Sequence, residues 1–226
     1  MLALKLGLSL VSTPKLGGWS PDDESSLVAW YQNAVGITLN GSDVSAWADS
    51  APAGSYDMVQ ATAGEQPAYS GGVLTFVSAD DNNLQTAGQI SLTGDFSLGF
   101  RINTSTTNGS FLADNTTANE FFKYGSSSRI LFKIAGSAST ALDLDSGTFG
   151  DDYLVITRVS NVVSLWKNGT KQTGTTPTVS GTSLVDVIGL RRVDLNGFDG
   201  TIKEIQIYSS SSADLTANIN DRLSTL

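Results

Sequence analysis

The first ten residues alternate almost without fault. Leu2, Leu4, Leu6, Leu8 and Leu10 fall on one face of an extended chain, and Ala3, Lys5, Gly7 and Ser9 on the other. Period two marks a strand with one buried face, and each leucine so buried contributes about 1.5–3 kcal/mol. Pro14, Gly17 and Gly18 then end the strand. From Trp19 the apolar pieces are short, with strands expected over 27–31 and 72–77, and over 44–47 a strand or a turn leading into one. From residue 94 they lengthen. Residues 95–102 put Phe96, Leu98, Phe100 and Ile102 on one face. Strands over 110–113, 120–124, 129–134, 184–188 and 200–208 follow the same logic. Residues 153–158 and 162–167 make a hairpin, followed by Asn168-Gly169, the pair that favours a type I′ turn. In 200–208 the apolar set Ile202, Ile205, Ile207 slips parity, which predicts a bulge or a two-faced central strand. Only the C-terminus reads as helix, with Leu215, Ile219 and Leu223 at i, i+4, i+8. The serines of 209–212 supply its N-cap and Asp214 its acidic first turn. The expectation is an all-β protein: a two-sheet antiparallel jelly-roll sandwich with a short C-terminal helix. Residues 1–18 form an N-terminal strand or arm and 19–226 the sandwich domain.

Composition narrows the chemistry. The chain has 226 residues, a net charge of −9, no cysteine and no histidine. Without cysteine there is no disulfide, thiolate zinc site or cysteine nucleophile. Without histidine the commonest general base and transition-metal ligand are gone. No stripe of Lys or Arg offsets the acidity, so nucleic acid is not an expected partner. No run approaches the ~18 apolar residues of a membrane span. Lys5, Gly7 and Ser9 interrupt the leader, so it reads as mature protein and not as a signal peptide.

The order of several segments carries a resemblance. Asp95-Phe-Ser-Leu98 is followed by Tyr153-Leu-Val-Ile-Thr-Arg158, Val163-Ser-Leu-Trp-Lys-Asn-Gly169 and Gly197-Phe-Asp-Gly-Thr-Ile-Lys-Glu-Ile-Gln-Ile-Tyr208. Upstream stand Trp47-Ala-Asp-Ser50, Gln60, Gln66-Pro67 and Leu74-Thr-Phe76. Together, over roughly residues 19–226, they resemble the laminin-G-like branch of the concanavalin A-like lectin/glucanase superfamily, which implies a jelly roll. The leader lies outside that pattern and resembles leaders of tailed-phage structural proteins, marine and cyanophage types in particular.

Some members of that superfamily hydrolyse β-glucans with carboxylates spaced Glu-x-Asp-x-Glu or Glu-x-Asp-x-x-Glu on one strand. Such chemistry needs two carboxyl groups across the scissile bond. This chain has four glutamates, Glu24, Glu65, Glu120 and Glu204, none near another. Its nearest imitation, Asp143-Leu-Asp145, lacks a third acid and reads as a solvated strand end before Gly147. No catalytic residue is therefore expected, and the chain reads as a non-enzyme. The resemblance also implies calcium, for which Asp80, Asp81, Asp194 and Asp199 are the loop candidates; otherwise no cofactor or metal is expected. Aspartates in turns also serve their own backbone. For ligand contact the candidates are Trp19, the freest tryptophan, and Asn103, Asn108 and Asn115 in the long polar loop 103–119. The resemblance implies structural positions for Trp30 and Trp47, and Trp166, in a predicted strand, reads as core. The Asn-x-Ser/Thr sites at Asn40, Asn103, Asn108, Asn115 and Asn168 read as turn composition.

Two readings of Leu2, Leu4, Leu6, Leu8 and Leu10 stand: a strand completing the sandwich, or an arm pairing with another subunit or virion protein by β-augmentation. The second leads to the expected function, a non-enzymatic virion structural protein at the capsid or tail surface, a decoration or tail-associated module able to contact host glycans. The alternative is a lectin-like carbohydrate-binding module of an extracellular bacterial protein.

Overall fold

The computed structural model describes residues 18–104, 107–117, 120–191 and 197–226. The leader leucines Leu2, Leu4, Leu6, Leu8 and Leu10, and Asp194, lie outside them. In chain order the strands are β1 Leu27–Tyr31, β2 Ile37–Asn40, β3 Asp43–Trp47, β4 Met58–Val59, β5 Ala68–Ser70, β6 Val73–Phe76, β7 Leu84–Thr93, β8 Phe96–Thr104 and β9 Ser110–Ala113. They continue as β10 Phe121–Ser126, β11 Arg129–Lys133, β12 Thr140–Asp143, β13 Asp151–Val159, β14 Val162–Lys167, β15 Thr170–Lys171, β16 Thr182–Ile188 and β17 Gly200–Tyr208; helix α1, Ala213–Ser224, closes the chain.

Antiparallel pairings sort these strands into two layers. One runs β15–β14–β13–β8–β17, with β1 and β6 end to end along the far edge of β17. The other runs β12–β11–β10–β9–β16–β7–β4–β3–β2. Strand β5 pairs with β6 and touches β3, joining the layers at one corner. The alternation of the sequence is realised between them. Phe96, Leu98, Phe100 and Ile102 from β8 meet Phe111, Phe122, Tyr124, Ile130 and Phe132 from the facing layer in one buried core. Ring contacts such as Phe100–Phe111, edge-on at 5.1 Å, fill it. The parity slip in the last strand is a bulge: the register with β8 shifts between Ile202 and Glu204.

Strands β8 and β17 are buried on both faces because α1 covers the outside of their layer. Ser212 caps the helix, its Oγ accepting from Leu215 N at 3.0 Å. Leu215, Ile219 and Leu223 then pack on Val155 and Tyr208. The helix comes close enough that a Cβ at Gly99 of β8 would lie 2.6 Å from Ile219 Cγ2. Glu204, wholly buried, ties down its far end. Oε1 accepts from Trp30 Nε1, Gln206 Nε2 and Arg222 Nε, and Oε2 from Asn33 N and Arg222 Nη2. Burial, and then the Glu204 charge, push the Tyr208 hydroxyl far above its ordinary pKa. Among the described residues no helix is long and apolar enough to cross a membrane.

Both central residues of Asn168-Gly169 have positive φ, 51° and 77°, as a type I′ turn requires. That turn opens the two-residue strand β15, and Ser160-Asn161 makes the equivalent turn between β13 and β14 with φ of 49° and 69°.

Candidate functional site

The outer face of the helix-bearing layer carries the site. Along β14 the odd positions Val163 and Leu165 face the core, so parity turns Val162, Ser164 and Trp166 outward. Thr157 and Val159 of β13 and Lys171 of β15 join them. Helix α1 packs chiefly on β13 and β8, and a groove of 410 Å³ opens between it and β14. Its floor is Thr157, Val159, Val162, Ser164, Trp166 and Lys171, and its wall is Ser211, Ser212, Ala213 and Thr216. A second cavity of 330 Å³ lies on the other side of Trp166, against Gly169, Ala217, Asn220 and Asp221. The indole thus stands between two clefts, half-buried against Val155 and the helix, with the Lys171 ammonium 5.2 Å from its centroid. Asn220, 7% exposed, donates from Nδ2 to Thr216 O at 2.9 Å. Its Oδ1 has no hydrogen-bond partner in the protein. An aromatic face, hydroxyls of Ser and Thr, one amide, one cation and one carboxylate are a set suited to a neutral polyhydroxylated ring.

Trp166, expected in the core, is half-buried: it packs against the cluster beneath α1 and also lines both clefts. Parity with Val163 and Leu165 was the signal that puts it outside, and its presence in a strand was not. Trp30 and Trp47 are buried, as expected of structural residues. Trp19 is less free than its neighbours Gly18 and Pro21 suggested. Its Nε1 donates to Glu24 Oε1 at 2.9 Å, and it lines a 460 Å³ cleft with Asn218, Asp221, Arg222 and Thr225 on the opposite flank of α1.

The polar-loop candidates scatter. Asn103 sits in a 290 Å³ depression with Thr201 and Asp199. Asn108 is exposed at φ 82°. Asn115 donates from its backbone to Asp186 Oδ1 at 2.6 Å and from its side chain to Gln85 at 3.0 Å. With Asp114, which is wholly buried and accepts from the Thr116 and Thr117 amides, these bonds pin the loop over β16. Sequence reasoning missed Asp114 and Asp186, whose role is to hold this loop.

Of the aspartate candidates for calcium, Asp199 is engaged by the protein itself. Asp199 accepts from Ser78 N at 2.7 Å and Ser78 Oγ at 2.8 Å, which brings it beside the turn carrying Asp80 and Asp81. Asp81 ends that turn at φ 52°. Among the described residues no group of three or more acidic side chains is placed to hold a metal ion. Asp143 bonds Arg129 at 2.5 Å and Asp145 accepts from Thr173 N at 2.8 Å, so the two carboxylates of Asp143-Leu-Asp145 serve different neighbours.

No family model and no curated protein sequence matches the chain. Solved structures do. A Trypanosoma rangeli sialidase in complex with sialic acid is 12% identical, covering 88% of this chain and 33% of that one, with a TM-score of 0.57. The botulinum neurotoxin type G receptor binding domain is 14% identical over 89% of this chain and 51% of that one, TM-score 0.55. A heptameric SAP-like pentraxin from Limulus polyphemus is 11% identical over 61% of this chain and 73% of that one, TM-score 0.50. The chain thus spans about a third of the sialidase. At these identities the likeness is one of fold: a lectin-like β-sandwich.

Proposed function

We propose that this chain is a non-catalytic carbohydrate-binding module of the concanavalin A-like, laminin-G-like kind, with Trp166 as its stacking platform. The observation that carries the proposal is the half-buried indole standing between two clefts rimmed by hydroxyl and amide groups. The fold supports it too, since one similar structure holds sialic acid and another is a receptor binding domain. Sugar rings present C–H faces to an aromatic plane and hydroxyls to the rim, so a small number of placed polar groups suffices for orientation.

The test is a glycan array followed by titration of the best binder. Trp166→Ala should weaken binding about 10–100-fold, the equivalent of about 1.4–2.8 kcal/mol. Lys171→Ala should have a smaller effect in the same direction. Unchanged affinity in Trp166→Ala, or an array with no binder, overturns the reading. Hydrolysis of a glucan and galactan panel that Asp143→Asn or Asp145→Asn abolishes would overturn the non-catalytic half.

The module's setting in this proposal is a virion surface, as capsid decoration or tail-associated protein, held through residues 2–10; an extracellular bacterial protein is the alternative. The leucine alternation of the leader supports the virion setting. Co-sedimentation with the assembled particle, lost in Leu4→Asp/Leu6→Asp, tests it; equal co-sedimentation of that variant refutes it.

A further inference from the structure

The sheet edges are treated unequally. Trp30 in β1 bonds Asp49 and Ser50 through its backbone N and O. In β12, Asp143 N and Ala141 O both bond Thr175 Oγ1. Residues 172–179 run along β14, giving Val163 N to Pro177 O and Gln172 N to Leu165 O, both at 2.8 Å. Strand β2 differs. Among the described residues it pairs with β3 alone, leaving its other side open.

The same corner collects exposed apolar surface. Leu39 is 48% and Val35 43% exposed, although Ile37 between them packs on the core. Edge strands are ordinarily blunted by shortness, bulges, lysine, proline or a covering loop. This one is short, Ile37–Asn40, and its register with β3 shifts between Thr38 and Leu39, but it carries no lysine or proline and exposes Leu39, with Val35 just before it.

The chain contains a segment that fits such an edge. Residues 2–10 alternate leucine with small or polar residues, and the leader carries Lys5 and Lys15 with no acid in a chain whose net charge is −9. We propose that residues 2–10 of one copy add as a strand to the open edge of β2 in a second copy. The leucines would lie on the core side beside Ile37 and Leu39, and the backbone groups would supply main-chain hydrogen bonds. A second copy is the occupant because of where the body of the chain begins. Gly18 and Trp19 lie against Asn218, Asp221 and Arg222 of α1, outside the helix-bearing layer, whereas β2 ends the opposite layer. This inference rests on the arm half of the proposed function and adds the acceptor; it is independent of the glycan half.

The absence of cysteine makes the test clean. Full-length chains carrying Leu4→Cys, Leu6→Cys or Leu8→Cys are each mixed with a full-length chain carrying Leu39→Cys and oxidised. A disulfide-linked species of twice the mass, formed at one leader position far more than the others and absent when either cysteine is missing, is the expected result. In light scattering, Leu39→Lys should shift the wild-type population to monomer. If doubly substituted chains close an internal disulfide and mixed chains do not cross-link, the leader serves its own body and the inference fails. It also fails if leader variants abolish association while Leu39→Lys does not, although the arm reading then survives. Monomeric wild type at all concentrations overturns both.

Discussion

Gly99→Ala tests whether the helix and the sheet beneath it fit as tightly as the structure indicates. The added Cβ would sit 2.6 Å from Ile219 Cγ2, 3.3 Å from Leu223 Cδ1 and 3.6 Å from Gln206 Cβ. Carbon atoms rest at about 3.5–4.0 Å, so about 1 Å must be found. Ile219 cannot rotate away, because a β-branched residue in a helix has one strongly preferred rotamer. Strand β8 cannot yield either, being paired along most of its length to β13 and β17. The helix must move. Such overpacking costs about 1–3 kcal/mol, offset by the ~0.4–1 kcal/mol that alanine gains over glycine through the unfolded chain. The net loss is about 0–2.6 kcal/mol, at its centre roughly 1.3 kcal/mol, or about 3–5 °C in Tm for a chain of this size. The sharper assay is a double-mutant cycle by urea unfolding. Ile219→Ala alone should cost about 2–5 kcal/mol. In the Gly99→Ala background the new methyl fills part of the space Ile219 vacates, so the pair should fall short of additivity by about 1 kcal/mol. Additivity within about 0.5 kcal/mol would refute the reasoning. Since α1 also walls the Trp166 groove, Gly99→Ala should weaken any ligand of that groove without touching it.

Glu204→Ala removes the acceptor shared by Trp30, Asn33, Gln206 and Arg222. Breaking a buried pair and orphaning its donors should cost about 3–5 kcal/mol, or roughly 6–20 °C by calorimetry; a loss below ~1 kcal/mol contradicts the hub. Glu120 is 4% exposed, and desolvation raises its pKa against the opposing pull of the Leu184 and Ala135 amides. An acid whose folded pKa is raised binds its proton more tightly when native, so its contribution falls as pH rises from the unfolded value to the folded one. Urea midpoints of wild type relative to Glu120→Gln should therefore decline as pH climbs through that window from about 4.3 upward. A flat or rising difference refutes it.

Legibility in the sequence followed burial on both sides. Strand β8 and helix α1 were readable because their apolar positions recur at a fixed period and the fold buries every one, and β17 was readable despite the slip of parity at its bulge. Strand β7 was not. Its buried set Leu84, Thr86, Ile90 and Leu92 is interrupted by Gly88 and padded with Gln85, Gln89, Ser91 and Thr93, so polarity masks the period. Strand β2 fails for another reason. It is an edge, three of its four residues are exposed, and an edge needs no hydrophobic face of its own.

The Trp166 groove shows why sites are harder to read than folds. A strand under a helix and a strand beside one carry the same alternation, and only the reach of α1 separates them. The helix packs chiefly on β13 and β8, so the outward residues of β14 line clefts beside it. Nothing local to Val162-Val-Ser-Leu-Trp-Lys167 encodes that boundary; it depends on the seat of the helix over β8, where Gly99, some sixty residues earlier, leaves room for Ile219. The half-buried position of Trp166 between two clefts thus follows from how closely the helix packs elsewhere. The groove's width and the helix's seat therefore cannot be altered independently.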